Sequence, residues 1–104
     1  MSGEPGGIQL DVTGPVHYWR GPSPHHFVPV PDDESTLIRE LASALTYGWG
    51  MIPVAARVGD TDFTTSLYPK DGRYLIPLRS EVRAVEDIAV DDVVRVSITL
   101  SAPL

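Results

Sequence analysis

Residues 49–100 read WGMIPVAARVGDTDFTTSLYPKDGRYLIPLRSEVRAVEDIAVDDVVRVSITL, and their alternation decides the fold. Met51 to Val58 and Thr61 to Tyr68 flank Gly59-Asp60, a two-residue turn that opens on glycine and suits the II′ hairpin type. Pairing across it sets Ala56 opposite Phe63, Val54 opposite Thr65 and Ile52 opposite Leu67 on one face. The other face then pairs Arg57 with Asp62. A second turn, Pro69-Lys70-Asp71-Gly72, has proline at the start of a type I turn and glycine at the following left-handed position. It predicts Leu67 opposite Tyr74, Thr65 opposite Ile76 and Phe63 opposite Leu78. Three strands thus form a meander with one apolar side. Pro77 cannot donate to a ladder, so its strand has an open edge or ends there. Ser80 can cap a short helix through Val85, with Glu81 in its first turn. Val93 to Leu100 is the last strand, with Val94, Val96, Ile98 and Leu100 facing in.

Upstream, Ile8, Leu10, Val12, Val16 and Tyr18 share one parity and define a half-buried strand bent or bulged at Gly14-Pro15. Trp19 to Pro24 is a loop, and His26 to Val30 a short second strand. The period then changes: Leu37, Ile38, Leu41, Ala42 and Leu45 are spaced for one face of a helix. Asp32 or Asp33 can cap its free amides, and Gly48 is placed to end it. The expected fold is mainly β: a small six-stranded closed or nearly closed β-barrel with one main helix and one short helix, since short antiparallel strands must protect their edges. Residues 1–7 are expected to be a disordered tail and 8–104 a single domain.

The chain of 104 residues has no cysteine, which removes disulfides and thiolate metal sites and fits a cytoplasmic location. No apolar run approaches the ~18 residues of a membrane span, and Met1 to Gly7 lacks the pattern of a secretory signal. The formal charge of −6 argues against tight non-specific binding to nucleic acid or an anionic membrane.

Six short motifs stand in a fixed order: His26-Phe27-Val28-Pro29-Val30-Pro31, Gly48-Trp49-Gly50, Ile52-Pro53-Val54, Thr64-Thr65-Ser66-Leu67-Tyr68-Pro69, Gly72-Arg73-Tyr74-Leu75-Ile76-Pro77-Leu78 and Val82-Arg83. By these the chain resembles the bacterial Domain of Unknown Function 1905 family from about Ile8 to Leu100. The resemblance implies a small β-barrel with one main helix and no established activity. Where the family usually carries Gly-Asp before the last strand, this chain has Asp91-Asp92, so the turn there is expected to differ. Arg73 to Ile98 also looks like the AbrB-type swapped-hairpin unit, which implies an alternative function as a DNA-binding or antitoxin-type regulator.

No catalytic constellation emerges. His17, His25 and His26 are the only histidines, and adjacent His25 and His26 point to opposite faces when extended, so no metal site is expected. Ser66 has neither a nucleophile elbow nor a nearby histidine in sequence, and Asp91-Asp92 reads as a turn. Gly48-Trp49-Gly50 lacks phosphate-loop spacing, and no cofactor is expected. The arginines are the constellation that stands out. Arg57, Arg79 and Arg83, with Ser66, Tyr68 and Trp49, are the candidate ligand-binding set, able to hold a carboxylate or phosphate if they converge where the meander meets the short helix. The competing reading pairs Arg57 with Asp62 across the strand and lays Arg73 on Tyr68. The resulting expectation is a non-catalytic module for a small anionic ligand or a protein partner.

Overall fold

A computed structural model of the chain describes residues 7–22, 24–44 and 51–101. Among these residues the elements follow the order β1 (Gly7–Pro15), β2 (His17–Trp19), β3 (His25–Pro29), α1 (Asp32–Ala44), β4 (Ile52–Val58), β5 (Thr61–Lys70), β6 (Arg73–Leu78), α2 (Ser80–Glu86) and β7 (Val93–Ser101). The strands form one antiparallel sheet in the order β1-β7-β4-β5-β6-β3-β2. The fold is mainly β with two helices, but the sheet is a seven-stranded open half-barrel, not the expected closed six-stranded barrel.

The extra strand arises at Pro15-Val16. Pro15 offers no N–H, and Val16 spends both backbone groups elsewhere. Its N–H donates to the Asp92 carbonyl at 2.9 Å, and its carbonyl accepts from Asp91 N at 2.8 Å. What alternation reads as one bent strand is therefore two. β1 pairs with β7 and β2 with β3, at opposite ends of the strand order. Gly7, assigned to the tail by the sequence, opens β1 opposite Ser101; the rest of that tail lies outside the described residues.

The β4–β5 hairpin has the expected register throughout, from Ile52 opposite Leu67 to Val58 opposite Thr61. Gly59 has φ 58° and Asp60 no positive φ, as a II′ turn needs. The glycine also makes room: a Cβ there would collide with the Glu86 carboxylate of α2. That carboxylate accepts from Thr61 Oγ1 at 2.5 Å and from Asp60 N at 3.3 Å, tying α2 to the turn.

The β5–β6 hairpin differs from expectation by two residues. Asp71 and Gly72 both take positive φ, 54° and 83°, which makes a type I′ turn with Lys70 opposite Arg73 and Pro69 opposite Tyr74. Such a turn matches strand twist better than type I. Pro69 is tolerated because it sits one step beyond the pair flanking the turn, where an antiparallel ladder makes no mutual bonds. Tyr74 accordingly bonds the other way: its carbonyl accepts from Val30 N at 2.9 Å and its N–H donates to Ser35 Oγ at 3.1 Å.

One face of the sheet carries the core, including Val12, Val28, Ile52, Ile76, Val96 and Ile98, and the helices add Ile38 and Val82. Leu37, expected on the buried face of α1, is exposed, while Leu41 is half-buried; Leu45 and Gly48 lie outside the described residues. Ser80 does not cap α2. Arg79 occupies the N-cap position with extended backbone and no side-chain capping bond, and Ser80 is the first helical residue. The helix ends with Asp87 at φ 56° and Ile88 N donating to the Arg83 carbonyl at 2.9 Å, the six-to-one bond of a Schellman stop.

Asp91 takes φ 75°, so the turn before β7 keeps a left-handed residue although glycine is missing there. Asp92 steadies the same turn, its carboxylate accepting from Ala89 N at 2.9 Å. Replacing Asp91 by glycine is expected to stabilise the fold by about 0.5–1 kcal/mol, because relief of the left-handed strain exceeds the added chain entropy. A thermal melt checks it: a rise of a few degrees is expected, and a lower midpoint would refute the strain argument.

Candidate functional site

The registers assign one outer face, opposite the core. β4 contributes Pro53 and Ala55, β5 Thr64, Ser66, Tyr68 and Lys70, and β6 Arg73, Leu75 and Pro77. β3 adds His25 and Phe27, and β2 adds His17 and Trp19.

The candidate arginines do not converge. Arg57 is bound to Asp62 at 2.9 Å and lies 3.7 Å from Asp60. The Asp62 hydrogen bond, then its charge, holds the Arg57 guanidinium above its usual pKa. Cross-strand pairing, the competing reading, describes this residue. Arg73 pairs with Asp32 of α1 at 3.3 Å rather than lying on Tyr68. Arg83 is half-buried on α2 and donates Nε to the Leu78 carbonyl at 3.4 Å. It stands near His26, whose pKa is lowered first by burial and then by the Arg83 and His25 charges. Trp49 lies outside the described residues.

Two members of the set do meet. Arg79 and Ser66 line an open groove of about 670 Å³ on the outer face of β4, β5 and β6, together with Met51, Pro53, Thr64 and Pro77. Arg79 Nε donates to the Thr64 carbonyl at 2.8 Å, which anchors the guanidinium at the groove. Among the described residues no carboxylate pairs with Arg79. The lining supplies a guanidinium, the hydroxyls of Thr64, Ser66 and Thr99, and apolar walls. Those groups can hold an anion by charge-assisted hydrogen bonds, and none of them is a base near neutral pH.

Tyr68 belongs to a different group. Its hydroxyl hydrogen-bonds His25 Nε2, the two rings meet edge-on at 5.5 Å, and burial raises the tyrosine pKa. His25 contacts Phe27 at 5.7 Å, and Phe27 stacks on His17 at 5.6 Å with ring planes 17° apart. Lys70 Nζ lies 4.3 Å from the Trp19 ring centroid. Sequence reading missed this cluster. The signal was the shared odd parity of His17, Trp19, His25 and Phe27, but it emerges only when the chain is cut at Pro15 and β2 is paired with β3. His25 and His26 face opposite ways, as an extended backbone requires. Among the described residues no three His, Asp or Glu side chains gather as metal ligands. Nor is any described helix long and apolar enough to cross a membrane.

Fold and surface together define a small, mainly β domain in which two helices accompany a curved antiparallel sheet. The chain belongs to the family described as Domain of unknown function (DUF1905), whose model matches residues 13–98. No curated protein matches the chain.

Proposed function

We propose that this chain is a cytoplasmic, non-catalytic binding module of a bacterial family, and that the Arg79 groove takes a small anion carrying an apolar body. The observation that supports this is a guanidinium held in place by the Thr64 carbonyl, without a carboxylate partner among the described residues, beside hydroxyls and apolar walls. A carboxylate presented by a protein partner would use the same donors. Titration of ¹⁵N-labelled protein with inorganic phosphate, succinate and benzoate tests the reading. Saturable amide shifts at Thr64, Ser66 and Arg79 are expected with at least one anion. Arg79→Gln should weaken that binding about tenfold or more, the worth of one hydrogen bond to a charged group. Failure of all three anions to shift these amides, or unchanged affinity in Arg79→Gln, would sink the proposal.

The alternative, a DNA-binding regulator, has less support. The formal charge is −6, and Arg57, Arg73 and Arg95 each pair with an aspartate. A mixed-sequence DNA duplex added to the same sample at low and moderate salt separates the two: salt-sensitive shifts at the arginines would favour the regulator.

A further inference from the structure

Beyond the Arg79 groove, the opposite end of the same outer face carries a second and chemically different cleft. It holds about 370 Å³, within the range of small-molecule sites, and is lined by His17, Phe27, Pro29 and Leu75 with Lys70 and Arg73 at one end. The register explains how it forms. His17 stands opposite Phe27, Phe27 opposite Pro77, Pro29 opposite Leu75 and Leu75 opposite Tyr68, so four strands contribute ring or aliphatic surface in adjoining rows. None of the four apolar or aromatic lining residues belongs to the core cluster on the other face of the sheet. Leu75 is nonetheless only 4% exposed, covered by its neighbours on the outer face. On its outer side the sheet here carries a ring-bearing floor in which Leu75 is buried, Phe27 and Pro29 are half-buried and His17 is exposed.

The cations at the end of the cleft are not equivalent. Arg73 is engaged by Asp32 at 3.3 Å, and among the described residues Asp71 is the one carboxylate on the lining. Lys70 has no carboxylate partner among the described residues, and its ammonium rests over Trp19. Two nearly parallel rings beside an ammonium that no described carboxylate neutralises select a ligand with a planar ring and an anionic group. A plain sugar would not use the cation, and an inorganic anion would not use the rings.

We propose that this cleft is a binding site for a planar aromatic anion of mononucleotide size, its ring on the His17–Phe27 pair and its charge on Lys70. The site is separate from the Arg79 groove. Adenosine 5′-monophosphate is the probe, with adenosine and ribose 5-phosphate as its two halves, in amide-shift titrations of the full chain. Saturable shifts at His17, Phe27, Lys70 and Leu75 are expected with the nucleotide, and each half should bind at least tenfold more weakly. Lys70→Gln changes an exposed side chain, and Phe27→Leu keeps apolar bulk while removing the ring; each should weaken nucleotide binding about fivefold or more. Arg79→Gln should leave these shifts unchanged. The site is overturned by absence of saturable shifts there, by equal binding of the nucleotide and ribose 5-phosphate, or by wild-type affinity in both variants. Loss of nucleotide binding in Arg79→Gln would also overturn it, by placing the ligand in the other groove.

Discussion

Replacing Ile98 by alanine is expected to cost about 3–4 kcal/mol, the cavity range for a buried isoleucine. Ile98 is fully buried at the middle of β7, opposite Leu10 of β1 and Ala56 of β4. It therefore joins three strands on the core face, and Ala56 is too small to fill the space its side chain would leave. A domain of this size has about 5–15 kcal/mol of stability in all, so the loss is a large share of it. The melting midpoint should fall by about 15 °C or more. Urea unfolding with an unchanged slope would assign the effect to the native state. Ser97→Ala, one residue away on the opposite face, is the control. Its hydroxyl reaches the exposed Asp11 carboxylate at 2.7 Å, and its loss should cost much less. A loss below 1 kcal/mol for Ile98→Ala, or equal losses for the two variants, would contradict the face assignment of β7.

That face assignment was legible in the sequence because alternation is a local property. Val94, Val96, Ile98 and Leu100 share a parity, and in the structure they share the core side. The β4–β5 register was legible too, since Gly59-Asp60 fixes the loop length and every pair follows from it. The β5–β6 register was not. Moving a strand by two residues leaves every side chain on its own face, so alternation cannot distinguish the expected pairing from the observed one. Only the backbone at Asp71 decides, and aspartate is ambiguous between right- and left-handed turn positions.

Breaks in pairing are harder still. The same parity holds from Ile8 to Tyr18 on both sides of Gly14-Pro15, yet the chain changes partners at Val16 because Asp91 and Asp92, distant in sequence, take its backbone bonds. This one long-range event decides whether the sheet is read as six strands or seven. It also decides whether His17 and Trp19 are seen beside His25 and Phe27. The candidate site suffered in the same way. Ser66 and Arg79 meet because both lie on or beside the meander, whose faces alternation defines. Arg83 and Tyr68 went elsewhere because their partners, the Leu78 carbonyl under α2 and His25 on β3, depend on how separate elements dock.

Ser35→Ala is the other change expected to have a large effect, about 1.5–2.5 kcal/mol, from a single hydroxyl. Ser35 is buried in the first turn of α1, where a polar group must find partners. Its Oγ donates to the Val30 carbonyl at 3.1 Å and accepts from Tyr74 N at 3.1 Å. Val30 N also donates to the Tyr74 carbonyl, so the serine replaces one missing rung where the β3–β6 ladder gives way to the helix. Alanine would leave a buried N–H and a buried carbonyl facing each other without a bridge. Orphaning buried groups costs about 1–3 kcal/mol, and the better helix propensity of alanine returns only about 0.5. Thr36→Ala, on an exposed neighbour, should be nearly neutral by comparison. Amide exchange gives the specific readout: Tyr74 should lose more protection than Ile76, because the rung fails locally before the strand does. Tyr74 sits between Arg73 and Leu75, both on the aromatic cleft, so the same rung holds the cleft floor in register. A cost below about 0.5 kcal/mol, with Tyr74 protection unchanged, would mean that water replaces the hydroxyl and that α1 is not keyed to β6 through this bond.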